Sequence, residues 1–246
     1  MSYTIAVAGK GGTGKTTIAA FLVGYLRKNR KGSILAIDAD PNSSLNQAVG
    51  VDSNETVVGI LDKVAALKDG GLPAGMTKDR FIEYEVQNSL AEAPGFDLLA
   101  MGRPEGPGCY CYANTVLKGV IEKLTKAYDF AVIDNEAGME HLSRRTTRAI
   151  DAFFIISDFS RIGIRSAKRI SDLAKEMKLK IGNEYLIVNM ARESSAECLK
   201  EEIEKSGLNL IGVIPFDKKI EDFSLCGKPI IDEFEKAESI FKKAII

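Results

Sequence analysis

Gly9-Lys10-Gly11-Gly12-Thr13-Gly14-Lys15-Thr16 is the stretch on which the fold turns. It follows Tyr3-Thr4-Ile5-Ala6-Val7-Ala8, a short apolar run that reads as a buried strand. It opens a segment from Thr16 to Arg27 in which Ile18, Phe21, Leu22, Tyr25 and Leu26 recur with helical spacing. A glycine-rich turn between strand and helix, closed by Lys-Thr, fits G-x-x-x-x-G-K-[ST]. Glycines let backbone N–H groups turn inward around phosphate oxygens, and the helix N-terminus adds a favourable dipole. On this reading Gly9, Lys10, Gly11, Gly12, Thr13, Gly14, Lys15, Thr16 and Thr17 surround the phosphates of a nucleotide. Lys15 reaches the β- and γ-phosphates, and the Thr16 hydroxyl binds Mg²⁺. The same residues also fit Gly9-x-Gly11-x-x-Gly14, a dinucleotide fingerprint. Lys15-Thr16 decides for a triphosphate, because a dinucleotide pyrophosphate needs neither a lysine nor a magnesium-binding hydroxyl there.

Working outward, strands are expected at Ser33–Ile37, Asp97–Met101, Phe130–Ile133, Phe153–Ser157, Tyr185–Val188 and Leu210–Ile214. Helical patterns lie around Val116–Ala127, Ser166–Met177, Ala196–Ser206 and Ile231–Ile246. Strands alternating with helices predict an α/β fold, a mostly parallel, doubly wound sheet with helices on both faces. No linker or repeat divides the chain, so residues 1–246 are expected to form a single P-loop ATPase domain. Residues 50–94 are the least regular stretch and read as a long insertion between the second and third main strands. Two readings of it stand: a segment specialised for substrate or partner, and a plain helical insertion.

Three other strand ends carry polar residues. Asp38-Ala39-Asp40-Pro41 ends the second strand, where open α/β sheets bind ligands. Ala131-Val132-Ile133-Asp134 is an apolar run ending in a carboxylate, as a Walker B segment does, and Gly138 follows at a spacing that suits a γ-phosphate contact. Asn189 ends another strand with an amide able to read a purine edge. For each carboxylate the plainer alternative is a helix N-cap.

Composition narrows the function. Lys and Arg number 33 against 34 Asp and Glu, so the net charge of −1 argues against a nucleic-acid binder. No apolar run has the roughly 18–20 residues that span a bilayer, and the N-terminus lacks a charged-then-apolar leader. A cytoplasmic protein with no membrane partner is expected. The cysteines are Cys109, Cys111, Cys198 and Cys226, read as thiols in a reducing compartment. With a single histidine, His141, any further metal site must use sulfur or oxygen. Cys109 and Cys111 are spaced to present two thiolates to one side of an extended segment, and a two-fold axis would raise the ligands to four. Zn²⁺ would take four thiolates tetrahedrally, Ni²⁺ in a plane. The plainer reading is two cysteines in a loop. Cys198 and Cys226 read as small apolar residues.

Lys10, directly after the first glycine, resembles the signature lysine of the deviant Walker A ATPases, which include MinD, ParA, the nitrogenase iron protein and Mrp-type iron–sulfur carriers. The resemblance implies a homodimer held face to face by ATP, with Lys10 reaching the partner's nucleotide. It implies that Asp40 polarises the attacking water and that Asp38 lies close to the magnesium shell. Asn189 and Ile214-Pro215-Phe216-Asp217 match the family's adenine-side motifs, which places Pro215 and Phe216 against the base. Cys109-Tyr110-Cys111 and the run from Asp134 to Arg145 resemble the CooC/AcsF group of nickel-inserting accessory ATPases. That implies a nickel enzyme client, carbon monoxide dehydrogenase or acetyl-CoA synthase, with Ni²⁺ or Zn²⁺ bridging a dimer at Cys109 and Cys111. Two alternatives remain: a MinD/ParA-like spatial-organisation ATPase, and an iron–sulfur cluster scaffold.

Overall fold

The computed structural model describes residues 2–40, 44–53, 55–67, 71–73, 75–102, 111–136, 149–192 and 196–245, with the side chains of 111–118 and 196–198 excepted. In chain order the first elements are β1 (Tyr3–Gly9), α1 (Lys15–Asn29), β2 (Ile34–Asp38) and α2 (Leu45–Val49). Next come α3 (Val57–Ala66), α4 (Lys78–Asn88), β3 (Ala91–Ala93), β4 (Phe96–Ala100), α5 (Cys111–Ala127) and β5 (Phe130–Asp134). The chain continues through β6 (Ala149–Asp158), α6 (Arg161–Glu176), β7 (Lys180–Ala191), α7 (Ala196–Ser206), β8 (Leu210–Pro215), α8 (Lys218–Leu225) and α9 (Glu235–Ala244).

The strands form one eight-stranded sheet in the order β3-β4-β2-β5-β1-β6-β7-β8. Every neighbouring pair is parallel except β3–β4, a short antiparallel hairpin at one edge. Parallel strands covered on both faces need continuous apolar runs rather than alternation. Ile5-Ala6-Val7-Ala8 and Ala131-Val132-Ile133 are such runs, all with no exposed surface. Successive side chains point to opposite faces. Ile5 and Val7 therefore join α1 and α9 in one core layer, while Ala6 and Ala8 join residues of α3, α5 and α6 in the other.

The parallel α/β expectation holds, with differences at particular elements. β6 and β7 run longer than their apolar cores, because their early residues pair with each other from Ala149↔Lys180 onward. The 50–94 stretch carries α3, α4 and β3. Both helices start on a threonine cap: the Thr56 hydroxyl accepts from Gly59 N at 3.1 Å, and that of Thr77 from Arg80 N at 3.4 Å. At the C-terminus the helix begins at Glu235 rather than Ile231. Residues before it pack as a turn against α1, where a Cβ on Gly24 would stand 1.8 Å from Ile231 O. Ile240, Phe241 and Ile245 are buried, and the Phe241 ring lies 5.6 Å from Tyr25 and 6.3 Å from Phe154. The last helix thus seals the α1 face of the sheet.

Candidate nucleotide site

The site lies at the C-terminal ends of the central strands. β1 delivers the chain to Gly9, which sits against β6: a Cβ there would meet Ile156 O at 2.5 Å. Gly12 and Gly14 adopt left-handed φ values of 79° and 86°, a region L side chains rarely occupy. The loop is braced from within. Thr13, fully buried, donates its hydroxyl to Lys10 O at 2.8 Å. It is braced from outside by Asn189 at the end of β7, whose Nδ2 donates to Thr13 O at 2.9 Å. Lys15 is 7% exposed at the start of α1, whereas Lys10 projects from the loop into solvent. One cation is thereby held inside the site and one is presented outward.

Facing the loop are two buried carboxylates. Asp134 and Asp38 end β5 and β2, in register across the sheet. Burial pushes Asp134 up to about 7. The Thr16 hydroxyl and Lys15 ammonium pull it partway down, while Asp38 and Asp40 push it up. Among the described residues neither Asp134 oxygen has a hydrogen-bond partner. Asp38 differs: Oδ2 accepts from Leu45 N at 2.8 Å and Oδ1 from Asp40 N at 3.1 Å. Burial raises it to about 6 against those two bonds. Asp38 thereby satisfies the first backbone N–H of α2, while the N-cap position itself is Ser44. A buried carboxylate with both oxygens unpartnered, beside a threonine hydroxyl, is a donor set suited to a hard cation such as Mg²⁺. The residues present fit a magnesium–nucleotide.

On the other side of the phosphate loop a cavity of about 230 Å³ opens between α1 and α8. Gly14, Thr17 and Phe21 form one wall; Asn189, Pro215 and Phe216 form another. Its size suits the base end of a nucleotide rather than a whole drug-sized ligand, which needs about 300 Å³ or more. Met190, next to Asn189, has φ 55°, in a stretch where β7 and β8 shift register between Val188 and Ala191. Arg192 lies over the Phe216 ring at 5.1 Å. Asp217 accepts from Lys219 N at 2.9 Å and pairs with Lys236 at 2.6 Å, which ties the start of α8 to α9.

Residues 4–230 match the CobQ/CobB/MinD/ParA nucleotide binding domain. The chain belongs to this family. An uncharacterized ATP-binding protein of Methanocaldococcus jannaschii is 42% identical over 248 residues, 98% of each chain. The carbon monoxide dehydrogenase accessory protein CooC of Rhodospirillum rubrum is 28% identical over 246 residues, 93% of this chain and 89% of CooC. Among solved structures, the MinC:MinD cell division protein complex of Aquifex aeolicus aligns with a TM-score of 0.73 at 20% identity, covering 98% of this chain and 95% of that one. That likeness speaks to fold alone.

In this MinD/ParA-family chain the structure brings Lys15, Thr16, Asp38, Asp40 and Asp134 to one end of the sheet, as the Asp38–Asp134 register and the effect of the other four on Asp134 show. Asn189, Pro215 and Phe216 line the adjoining cavity with Thr17. Cys109 and Gly138 lie outside the described residues, as does the side chain of Cys111. Among the described residues, no group of three His, Cys, Asp or Glu is placed to hold a metal. Sequence reading missed two features of this MinD/ParA-type site. Asn135 is 1% exposed and fastens β5 to β1; an amide directly after the strand-ending carboxylate was its signal. Glu233 and Lys236 line the base cavity, and no local pattern announces them because α9 packing brings them there.

Proposed function

We propose that this chain is a magnesium-dependent ATPase that works as a homodimer and delivers nickel to carbon monoxide dehydrogenase or acetyl-CoA synthase during their maturation. The hydrolytic part rests on the buried Lys15 and Asp134, with the half-buried Thr16 beside them at the glycine loop. The delivery part is carried by the match to CooC across 246 residues, together with Cys109-Tyr110-Cys111.

In this reading Lys15 neutralises the β- and γ-phosphates from inside the loop, where its burial strengthens the interaction. Thr16 and Asp134, with Asp38 behind them, would hold magnesium, which would supply further neutralisation of phosphate charge. Asp40 orients a water whose oxygen attacks the γ-phosphorus while the bond to the ADP oxygen breaks. The Gly138 N–H supports the departing γ-phosphate. Lys10 projects outward to a second copy's phosphates, so hydrolysis requires the closed dimer. Asn189 spends Nδ2 on Thr13 O, leaving its carbonyl oxygen to accept the adenine amino group, with Pro215 and Phe216 against the ring. Closure brings two Cys109/Cys111 pairs together around nickel as cargo, and hydrolysis releases it.

A spatial-organisation ATPase of the MinD kind is the competing reading, kept open by membership of the MinD/ParA family. Its membrane-targeting form draws on an apolar C-terminal helix face. Here Ile240, Phe241 and Ile245 are buried against the sheet. Among the described residues no helix is long and apolar enough to cross a membrane.

The test is an anaerobic nickel titration with molecular mass followed at each point, on wild type and Cys109→Ser/Cys111→Ser. One nickel per dimer, lost in the double variant, supports delivery. ATP hydrolysis without cysteine-dependent metal binding moves the assignment to a positioning ATPase. A visible charge-transfer spectrum after anaerobic iron and sulfide reconstitution favours the cluster scaffold.

A further inference from the structure

The residue after Asp134 is as unusual as Asp134 itself. Asn135 is 1% exposed. Its backbone N–H donates to Val7 O at 3.1 Å, and its side-chain Nδ2 donates to the same oxygen at 2.9 Å and to Ile133 O at 3.4 Å. Because Nδ2 faces two carbonyl oxygens, the amide cannot be turned over without setting oxygen against oxygen, so Oδ1 is fixed as the other end. That Oδ1 is buried with no hydrogen-bond partner among the described residues. A buried acceptor left unpaired is costly, so a partner is expected when the site is occupied.

Two links follow. Val7 is the register partner of Asp134 and stands two residues before Gly9, so Asn135 ties the end of β5 to the strand that carries the phosphate loop. Among the described residues three buried oxygens in two consecutive residues lack a hydrogen-bond partner, Asp134 Oδ1 and Oδ2 and Asn135 Oδ1, and each can accept. A hydrated cation satisfies acceptors of this kind, and Mg²⁺ keeps several of its waters, each a donor. We infer that Asn135 is a positioning residue for the phosphate end of the site: its amide fixes β5 to β1, and Oδ1 gains a water-donated hydrogen bond when magnesium–nucleotide binds. This inference rests on the nucleotide-site reading above.

The experiment measures affinity for a fluorescent ATP analogue with Mg²⁺ and with EDTA, alongside the melting temperature without ligand, for wild type, Asn135→Ala and Asn135→Asp. Magnesium is expected to tighten binding to wild type. In Asn135→Ala that magnesium-dependent gain should shrink about tenfold, while the EDTA affinity stays within about twofold. Asn135→Asp keeps an acceptor oxygen and should retain more of the gain than Asn135→Ala; it also supplies the comparison if the alanine variant does not fold. An unchanged gain in a folded variant, with only the ligand-free melting temperature lowered, would overturn the inference and leave Asn135 a structural clamp around a resident water. No magnesium-dependent binding by wild type would instead sink the nucleotide-site reading itself.

Discussion

Asp134 and Asp38 stand opposite one another in register at the ends of β5 and β2, and neither has any exposed surface. Burial lifts each carboxyl above its ordinary range, to about 7 and about 6, and the Asp38 charge adds to the rise at Asp134.

The pH dependence follows from the sign. An unfolded aspartate releases its proton near about pH 3.9, and folded Asp134 holds its proton until about 7. The native state therefore binds more protons in that window, and ligand-free stability should fall as pH rises from about 4 to 7, then level off. Magnesium–nucleotide needs the ionised form, so its affinity should rise across the same window by up to about tenfold per pH unit. Asp134→Asn should melt higher than wild type at pH 8 without ligand and lose the magnesium-dependent part of nucleotide stabilisation. Melting curves against pH, with and without magnesium–ATP, check both halves. Ligand-free stability rising from pH 4 to 7 would contradict the argument.

Lys10 is exposed while Lys15 is buried, and their variants should part accordingly. Lys10→Ala removes a surface side chain, so stability should stay within about 0.5 kcal/mol. Nucleotide binding should also hold within about threefold. Hydrolysis should fall by on the order of 10³, the scale on which a trans-supplied cation acts in phosphoryl transfer. Steady-state turnover beside equilibrium nucleotide binding makes the comparison. Normal turnover in Lys10→Ala would remove the trans role.

The final helix offers a stability test. Phe241 is fully buried between Tyr25 and Phe154, and its truncation to alanine should cost about 3–5 kcal/mol. For a chain of this size that lowers the melting temperature by roughly 6–20 °C. Gly24→Ala should do comparable harm for a different reason, since its Cβ would collide with the Ile231 carbonyl, which is backbone and cannot swing aside. Thermal unfolding of both variants decides it; a change under about 2 °C in Phe241→Ala would mean the helix is not sealing the core.

How much of this was legible depends on range. The phosphate loop could be read because its chemistry is local: glycines, a lysine and a threonine must be consecutive to make the turn and open the helix. The central strands could be read because parallel strands buried on both faces show as unbroken apolar runs, as in Ile5–Ala8 and Ala131–Ile133. The edge hairpin β3–β4 could not, since Ala91-Glu92-Ala93 has no strand signature and pairs only because Phe96 anchors its partner in the core. α8 has no fully buried residue; Ile220 and Phe223 pack partly against the α1-side core and Lys236 pairs with Asp217 at its start, contacts formed between segments distant in sequence. Asp38 shows both sides: its position at a strand end pointed to the site, while its hydrogen bond from Leu45 N depended on how the chain folds back.

Asn189 serves the phosphate loop and faces the base cavity at once, and the two duties can be separated. Its Nδ2 holds Thr13 O at 2.9 Å, which steadies the loop whatever base is bound. In the proposed function its Oδ1 accepts from the adenine amino group, which guanine lacks at that position. Asn189→Ala should therefore weaken ATP by about tenfold, one lost neutral hydrogen bond to the base plus a loosened loop. GTP should weaken by about threefold or less, because it loses only the loop brace. The preference for ATP over GTP should accordingly shrink, and competition titrations of both nucleotides against a fluorescent analogue measure it. Equal losses for the two would assign Asn189 to bracing the loop and leave base selection to the Pro215–Phe216 wall.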